Sequence, residues 1–257
     1  FLRILEQIFF LMTKLKIADQ HVWKFLLVRL LILIQEITLK KCIILNSISW
    51  VNLYMEHVCL DLEGVLIPEI WAEVAAYTGE DQFKLTTQDL KDYSELMDMR
   101  IDLVRSIGLT FPEIQNLVDK MEPFEGARDF IDWVRDNFQL TIVSDSFYEL
   151  AWPLLRKLGT PSINCHYLNI EGSELKGYTL RQLENKKKVI KSLKDMKFKV
   201  FASGDSYNDI QMLQEADLGV FFQAPKHIRE EFQEIGGVES HQELKELLIS
   251  NSSFVGR

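Results

Sequence analysis

Acidic and hydroxyl residues recur just after short apolar runs in this 257-residue chain. Asp61 and Glu63 follow His57-Val58-Cys59-Leu60; Ser144 and Asp145 follow Leu140-Thr141-Ile142-Val143; Asp205, Asn208 and Asp209 come after Lys199-Val200-Phe201-Ala202. A carboxylate in such a place can attack phosphorus and hold the group as an acyl phosphate, which divides one difficult displacement into two. Asp61 is placed for that attack. Glu63 can protonate the leaving oxygen and later deprotonate the incoming acceptor. Carboxylates facing a phosphate repel it, so the chemistry calls for a cation, and Mg2+ takes oxygen ligands. Asp61 and Asp205 can supply carboxylates and Glu63 its backbone carbonyl, with Asp209 one helical turn behind Asp205. The transferring phosphoryl also needs donors. Ser144 offers a hydroxyl, the turn after it N–H groups, and the run Lys186-Lys187-Lys188 one fixed positive charge.

The elements that position these residues alternate. The runs at 57–60, 140–143, 199–202 and 218–221 read as buried strands. The second is expected to end at Ser144-Asp145. Amphipathic stretches at 127–138, 148–158 and 186–196 read as the helices between them. Residues 69–122 lack a convincing strand and read as helices over 69–77, 93–106 and 112–120, the last with Pro112 at an early position. Strands separated by helices imply an α/β fold with a doubly wound parallel sheet, whose ligands bind at the carboxyl ends of the strands. The expected organisation is an extension at 1–54, a core formed by 55–67 and 123–257, and a helical cap at 68–122.

Bulk properties narrow the field. The net charge is -9, with a positive first 54 residues and an acidic remainder, which argues against a nucleic-acid partner. Three scattered cysteines (Cys42, Cys59 and Cys165) fit reduced, mostly buried thiols in a cytoplasmic protein rather than a disulfide framework or zinc site. Charges such as Lys24, Arg29 and Glu36 interrupt every window of about 20 residues in the extension, so a membrane span is not expected. That stretch reads as an interfacial helix with a basic flank, a degenerate targeting segment, or, in the favoured reading, sequence upstream of a start at Met55. His57 and His166 are expected to be structural. Trp133, Trp152, Phe221 and Phe222 are candidates for the core.

In order, Asp61-Leu62-Glu63-Gly64-Val65, Ser144-Asp145-Ser146, a lysine near 186 and Gly204-Asp205-Ser206-Tyr207-Asn208-Asp209 resemble the four motifs of the haloacid dehalogenase (HAD) superfamily. Pro68-Glu69-Ile70-Trp71, Thr86-Thr87, Phe147-Tyr148-Glu149 and Leu180-Arg181-Gln182 make the chain similar to its phosphoserine-dephosphorylating branch, in which transfer to homoserine also occurs. The likeness spans residues 55 to about 245. It implies a Rossmann-like HAD core, Mg2+, Asp61 as nucleophile, Glu63 as proton donor and Asp205 as a metal ligand. It also implies Glu69, Arg100, Ser144, Asp145, Lys186 and Asn208 as substrate-binding, with Glu69 meeting the ammonium of serine and Arg100 its carboxylate. Members usually carry Lys-Asp-Pro-Lys where this chain has Leu183-Glu184-Asn185-Lys186. Spacing to Asp205 favours Lys186, with Lys187 as the alternative.

The expected activity is therefore hydrolysis of phosphoserine, with homoserine as a second acceptor and a homodimer compatible with the sequence. The alternatives are a HAD phosphatase for another small phosphomonoester and a catalytically silent membrane-associated protein working through residues 1–54. A P-loop kinase and a serine hydrolase lack their motifs here.

Overall fold

The computed structural model describes residues 55–86, 89–90 and 92–255. The readings of residues 1–54, Cys42 among them, and of Thr87 lie outside these. The first strand, β1 (Glu56–Leu60), is buried along its whole length, as a central parallel strand must be. Its one ionisable end, Glu56, accepts from Ser252 Oγ at 2.6 Å and the Ser253 amide at 2.7 Å.

Four helices follow β1 and its loop: α1 (Ile70–Thr78), α2 (Tyr93–Ser106), α3 (Phe111–Lys120) and α4 (Ala127–Asn137), with a short 3-10 turn at Asp81–Lys84. α1 stops where Gly79 turns left-handed at φ +77°. The Asp92 side chain caps α2 by accepting from the Ser94 amide at 2.8 Å. Then come β2 (Gln139–Phe147), α5 (Tyr148–Lys157), β3 (Ile163–Glu171), β4 (Glu174–Thr179), α6 (Asn185–Asp195) and β5 (Lys199–Gly204). A 3-10 turn at Tyr207–Asp209, α7 (Ile210–Glu215), β6 (Leu218–Phe222), α8 (Lys226–Glu231), β7 (Gly236–Val238) and α9 (His241–Asn251) complete the described chain.

The seven strands lie in the order β4-β3-β2-β1-β5-β6-β7, all parallel except the β3–β4 pair. Alternation along each strand fills two layers. Val58, Leu60 and Phe201 face Phe130, Ile131, Val134, Leu154 and Leu244 from α4, α5 and α9. Cys59, Val200 and Ala202 face Val189, Ile190, Leu193, Met212 and Ile228 from α6, α7 and α8. Successive strands are added on one side of β1 as far as β4, and then on the other from β5. β1 and β5 therefore flank a topological switch point, where the carboxyl ends of the strands open a crevice.

Two expectations need correction. The second strand does not end at Ser144-Asp145: it continues to Phe147. It pairs Val143 with Asn164 and then Phe147 with His166, so β2 carries two extra residues in the interval. Such a bulge re-aims side chains without ending the strand. Trp152 is not in the core: it is 38% exposed and stacks on the equally exposed Tyr148, with ring centroids 5.4 Å apart. Phe221 and Phe222 are buried, and Trp133 packs on the core while half-buried. Among the described residues no helix is long and apolar enough to cross a membrane.

Candidate active site

Just past β1 the chain folds into a tight loop in which Leu66 and Ile67 both donate to the Leu62 carbonyl. The loop presents Asp61 and Glu63. The Asp61 amide donates to the Ser203 carbonyl of β5 at 2.9 Å, and its Oδ1 accepts from the Leu62 amide at 2.7 Å. Glu63 Oε2 accepts from the Ile70 amide at 2.8 Å, so the N-terminus of α1 fixes the side chain in place. Gly64 sits at φ +77°, and a Cβ built there would lie 2.2 Å from Asp205 Oδ2. Only a hydrogen atom lets the loop come this close to the end of β5.

Lys186, in the first turn of α6, is 3% exposed. Its Nζ lies 2.8 Å from Asp61 Oδ2 and 2.7 Å from Asp209 Oδ1, with Asp145 Oδ2 at 3.9 Å. Burial works against its charge, but the Asp209, Asp61 and Asp145 carboxylates outweigh it and hold the ammonium well above its ordinary range. Lys187 is half-buried outside this cluster, so the geometry favours Lys186. Asp209 is fully buried, and its Oδ2 accepts from the Asp205 and Ser206 amides at 3.0 and 3.1 Å. It braces the loop that carries Asp205 and Asn208. Asn208 Nδ2 in turn donates to Asp145 Oδ2 at 3.2 Å. Burial raises the Asp145 carboxyl, yet Lys186, His166 and Asn208 hold it below the usual carboxylate range. Ser144 is buried, and its Oγ accepts from the Ser146 amide at 3.1 Å, which shapes the bulge of β2.

Carboxylate oxygens of Asp61, Asp205 and Asp209 all lie within 4.8 Å of one another. Burial, together with the Asp209 and Asp205 charges, pushes the Asp61 carboxyl well above its ordinary value against the pull of Lys186. Burial and Asp209 likewise push Asp205 up to about 7. This strain between like charges, and a donor set made only of oxygen, fit a hard divalent cation, which would return both groups to the ionised form.

The helices after β1 contribute the other wall. Arg100 lies in the apolar stripe of α2, with Leu96, Met97, Ile101 and Val104, and is 8% exposed. Its guanidinium lies over the Trp71 ring at 5.1 Å, and Trp71 stacks on Phe83 at 5.6 Å. Nη2 donates to the Leu85 carbonyl at 2.7 Å, whereas Nε is buried with no hydrogen-bond partner among the described residues. Glu69 is open to the cavity but enclosed by protein on its other sides. That enclosure, then the Glu63 charge and the hydrogen bond between the two, push its carboxyl up to about 9, an effect that water at this exposed side chain moderates. Tyr93 Oη donates to the Asp145 carbonyl at 2.6 Å, fastening α2 to the bulge.

These walls enclose a cavity of about 180 Å³, which suits a molecule the size of a small metabolite. Asp61, Glu63, Glu69, Arg100, Ser144, Asp145, Lys186, Asp205 and Asn208, the nine residues singled out from the sequence, all border it. Sequence reasoning missed Tyr93 and the part Trp71 plays. The available signal was Arg100 itself: a cation in the middle of an apolar stripe needs a reason to be there.

A parallel α/β sheet with an aspartate pair, a buried lysine and a serine at its switch point defines a class of phosphoryl-transfer hydrolases. Residues 55–217 match the model of the haloacid dehalogenase-like hydrolases, and the chain belongs to that family. Over 200 residues it is 44% identical to phosphoserine phosphatase ThrH of Pseudomonas aeruginosa, a match covering 77% of this chain and 98% of that protein. It is 41% identical over 212 residues to a phosphoserine phosphatase of Pseudomonas syringae pv. tomato, covering 82% of this chain and 89% of the relative. Among solved structures, a phospho-aspartyl intermediate analogue of phosphoserine phosphatase shares the fold. It has a TM-score of 0.65 and 21% identity, and the match covers 76% of this chain and 99% of the other.

Proposed function

We propose that the protein is a phosphoserine phosphatase. The observation that carries this is the Arg100 guanidinium, buried, stacked on Trp71 and with its Nε unpartnered among the described residues, in the same cavity as Asp61. A cation so placed answers to a planar anion such as a carboxylate. Glu69, across the same cavity, answers to an ammonium group, whose charge would keep the Glu69 carboxyl ionised. A phosphomonoester bearing both groups on a short stem is phosphoserine. The relatives named phosphoserine phosphatase support the reading.

In the first step Asp61 attacks phosphorus and the bond to the serine oxygen breaks, with Glu63 giving that oxygen a proton. In the second, Glu63 takes a proton from water as the water oxygen attacks the phospho-aspartate, which frees phosphate and restores Asp61. Lys186, Ser144 and the N–H groups of the bulge balance the phosphoryl oxygens, while Asp145 and Asn208 hold Lys186 and the phosphate in register. Mg2+ held by Asp61, Asp205 and the Glu63 carbonyl would neutralise the phosphate charge facing the nucleophile. Residues 68–122 act as a cap that excludes water from a core made of 55–67 and 123–257. A cytoplasmic setting and a homodimer belong to the same proposal.

Homoserine fits as an alternative acceptor for a physical reason: its ammonium and carboxylate can use Glu69 and Arg100 as serine does, and Glu63 can deprotonate an alcohol as well as water. Product analysis with phosphoserine and Mg2+, with and without homoserine, tests both readings. Phosphate release is expected, together with phosphohomoserine when homoserine is present. Asp61→Asn should lower turnover by at least about a thousandfold. Absence of phosphate release by the unaltered protein would remove phosphoserine as substrate.

A further inference from the structure

Lys186 can serve a phosphoryl group only if its stem is fixed, and α6 begins without the usual means of fixing it. Glu184, the residue at its N-cap, is left-handed at φ +51° and ψ +44° and provides no side-chain cap. Asn185 does the work from inside the helix. It is 3% exposed, and its Nδ2 donates to the Ser144 carbonyl at 3.3 Å and the Asn164 carbonyl at 3.4 Å. Its Oδ1 accepts from Gln182 Nε2 at 3.1 Å.

Those two carbonyls belong to the place where the β2–β3 ladder slips. Val143 pairs with Asn164, and no regular pair follows until Phe147 with His166. A bulge leaves ladder groups unpaired, and a buried carbonyl without a donor is costly. One side-chain amide therefore satisfies both edges of the bulge that presents Ser144, from the residue immediately before Lys186. Asn185 is not among the residues that border the catalytic cavity and lies behind Lys186, on a neighbouring cleft that it shares with Asp145 and Asn208.

We propose that Asn185 is a positioning residue that locks the phosphoryl-binding lysine and the Ser144 bulge into one rigid unit. The inference rests on the HAD phosphoryl-transfer reading of Lys186 and Ser144, but not on phosphoserine as the substrate. It predicts that Asn185 acts through Lys186.

The test is a double-mutant cycle on the full chain with Mg2+, reading the affinity for inorganic phosphate by calorimetry and kcat with p-nitrophenyl phosphate. Asn185→Ala should weaken phosphate binding and lower kcat by about tenfold each. In a Lys186→Ala background the same change should alter phosphate affinity less than about twofold. Asn185→Asp keeps the shape and the Gln182 bond but removes both donors, and it should resemble Asn185→Ala even if the alanine variant folds poorly. Equal losses in both backgrounds, or phosphate affinity in Asn185→Asp equal to that of the unaltered protein, would overturn the proposal. If phosphoserine is not the substrate, the unaltered protein turns over p-nitrophenyl phosphate but not phosphoserine, and the cycle is read all the same.

Discussion

The Arg100 guanidinium has one face against Trp71, Nη2 bonded to the Leu85 carbonyl, Nη1 on the Met97 sulfur and a buried Nε with no partner among the described residues. Hydrogen bonds to a charged partner contribute about 1.5–3 kcal/mol, which is roughly 10- to 100-fold in affinity. Arg100→Ala should therefore raise KM for phosphoserine by about that factor and leave phosphoethanolamine, which lacks the carboxylate, within about twofold. Steady-state kinetics on the two substrates decide it; an equal loss for both takes Arg100 out of carboxylate recognition. At this scale the sequence was most informative where chemistry demands a residue type. Asp61, Glu63 and Asp205 are legible because nothing in packing calls for three carboxylates at strand ends. Asn185 was not, since an amide that serves backbone carbonyls far away in sequence leaves no local pattern.

Lys157, at the end of α5, donates to the Asp119 and Met121 carbonyls at 2.9 and 2.5 Å and to Glu122 Oε1 at 2.8 Å. It closes the C-terminal end of α3, where carbonyls lack helical partners, and ties the helical insertion to the core. Lys157→Met keeps most of the stem and removes the donors. It should cost about 1–2 kcal/mol, read as a lower urea midpoint with an unchanged slope; an unchanged midpoint would mean that water replaces the lysine. Strands with continuous apolar runs were readable from sequence, and so were helices with a clear amphipathic period, such as α4 and α6. The β3–β4 hairpin was not anticipated. It mixes polar and apolar residues at the sheet edge, and its register slips between Asn169 and Ile170, which blurs the two-residue period. β7 has three residues, too short to carry a pattern at all. Trp152 was misplaced because helical spacing alone does not say which face of α5 is covered.

Beyond the extension the chain is acidic, so an anionic substrate is drawn in by local cations rather than by the whole body. A divalent cation at the Asp61–Asp205–Asp209 cluster would be the largest of these, and its binding would be linked to stability. Saturating Mg2+ should raise the melting midpoint over that in EDTA by roughly 5–10 °C, the effect of about 3 kcal/mol on a domain of this size. Asp205→Asn should abolish most of that shift while folding normally without metal, because it removes a like charge from the Asp61–Asp209 cluster. Scanning fluorimetry reads both; the same shift in the variant would place the ion elsewhere.

Position 64 shows how a residue without a reactive atom becomes indispensable. Any side chain there collides with the Asp205 carboxylate, so the smallest replacement, alanine, already displaces the group proposed to hold the cation. In a saturation mutagenesis survey, Gly64 should therefore be as intolerant as Asp61. A parallel measurement of protein abundance separates the two causes: Asp61→Asn leaves the amount of folded protein intact, whereas Gly64 variants lose both activity and yield.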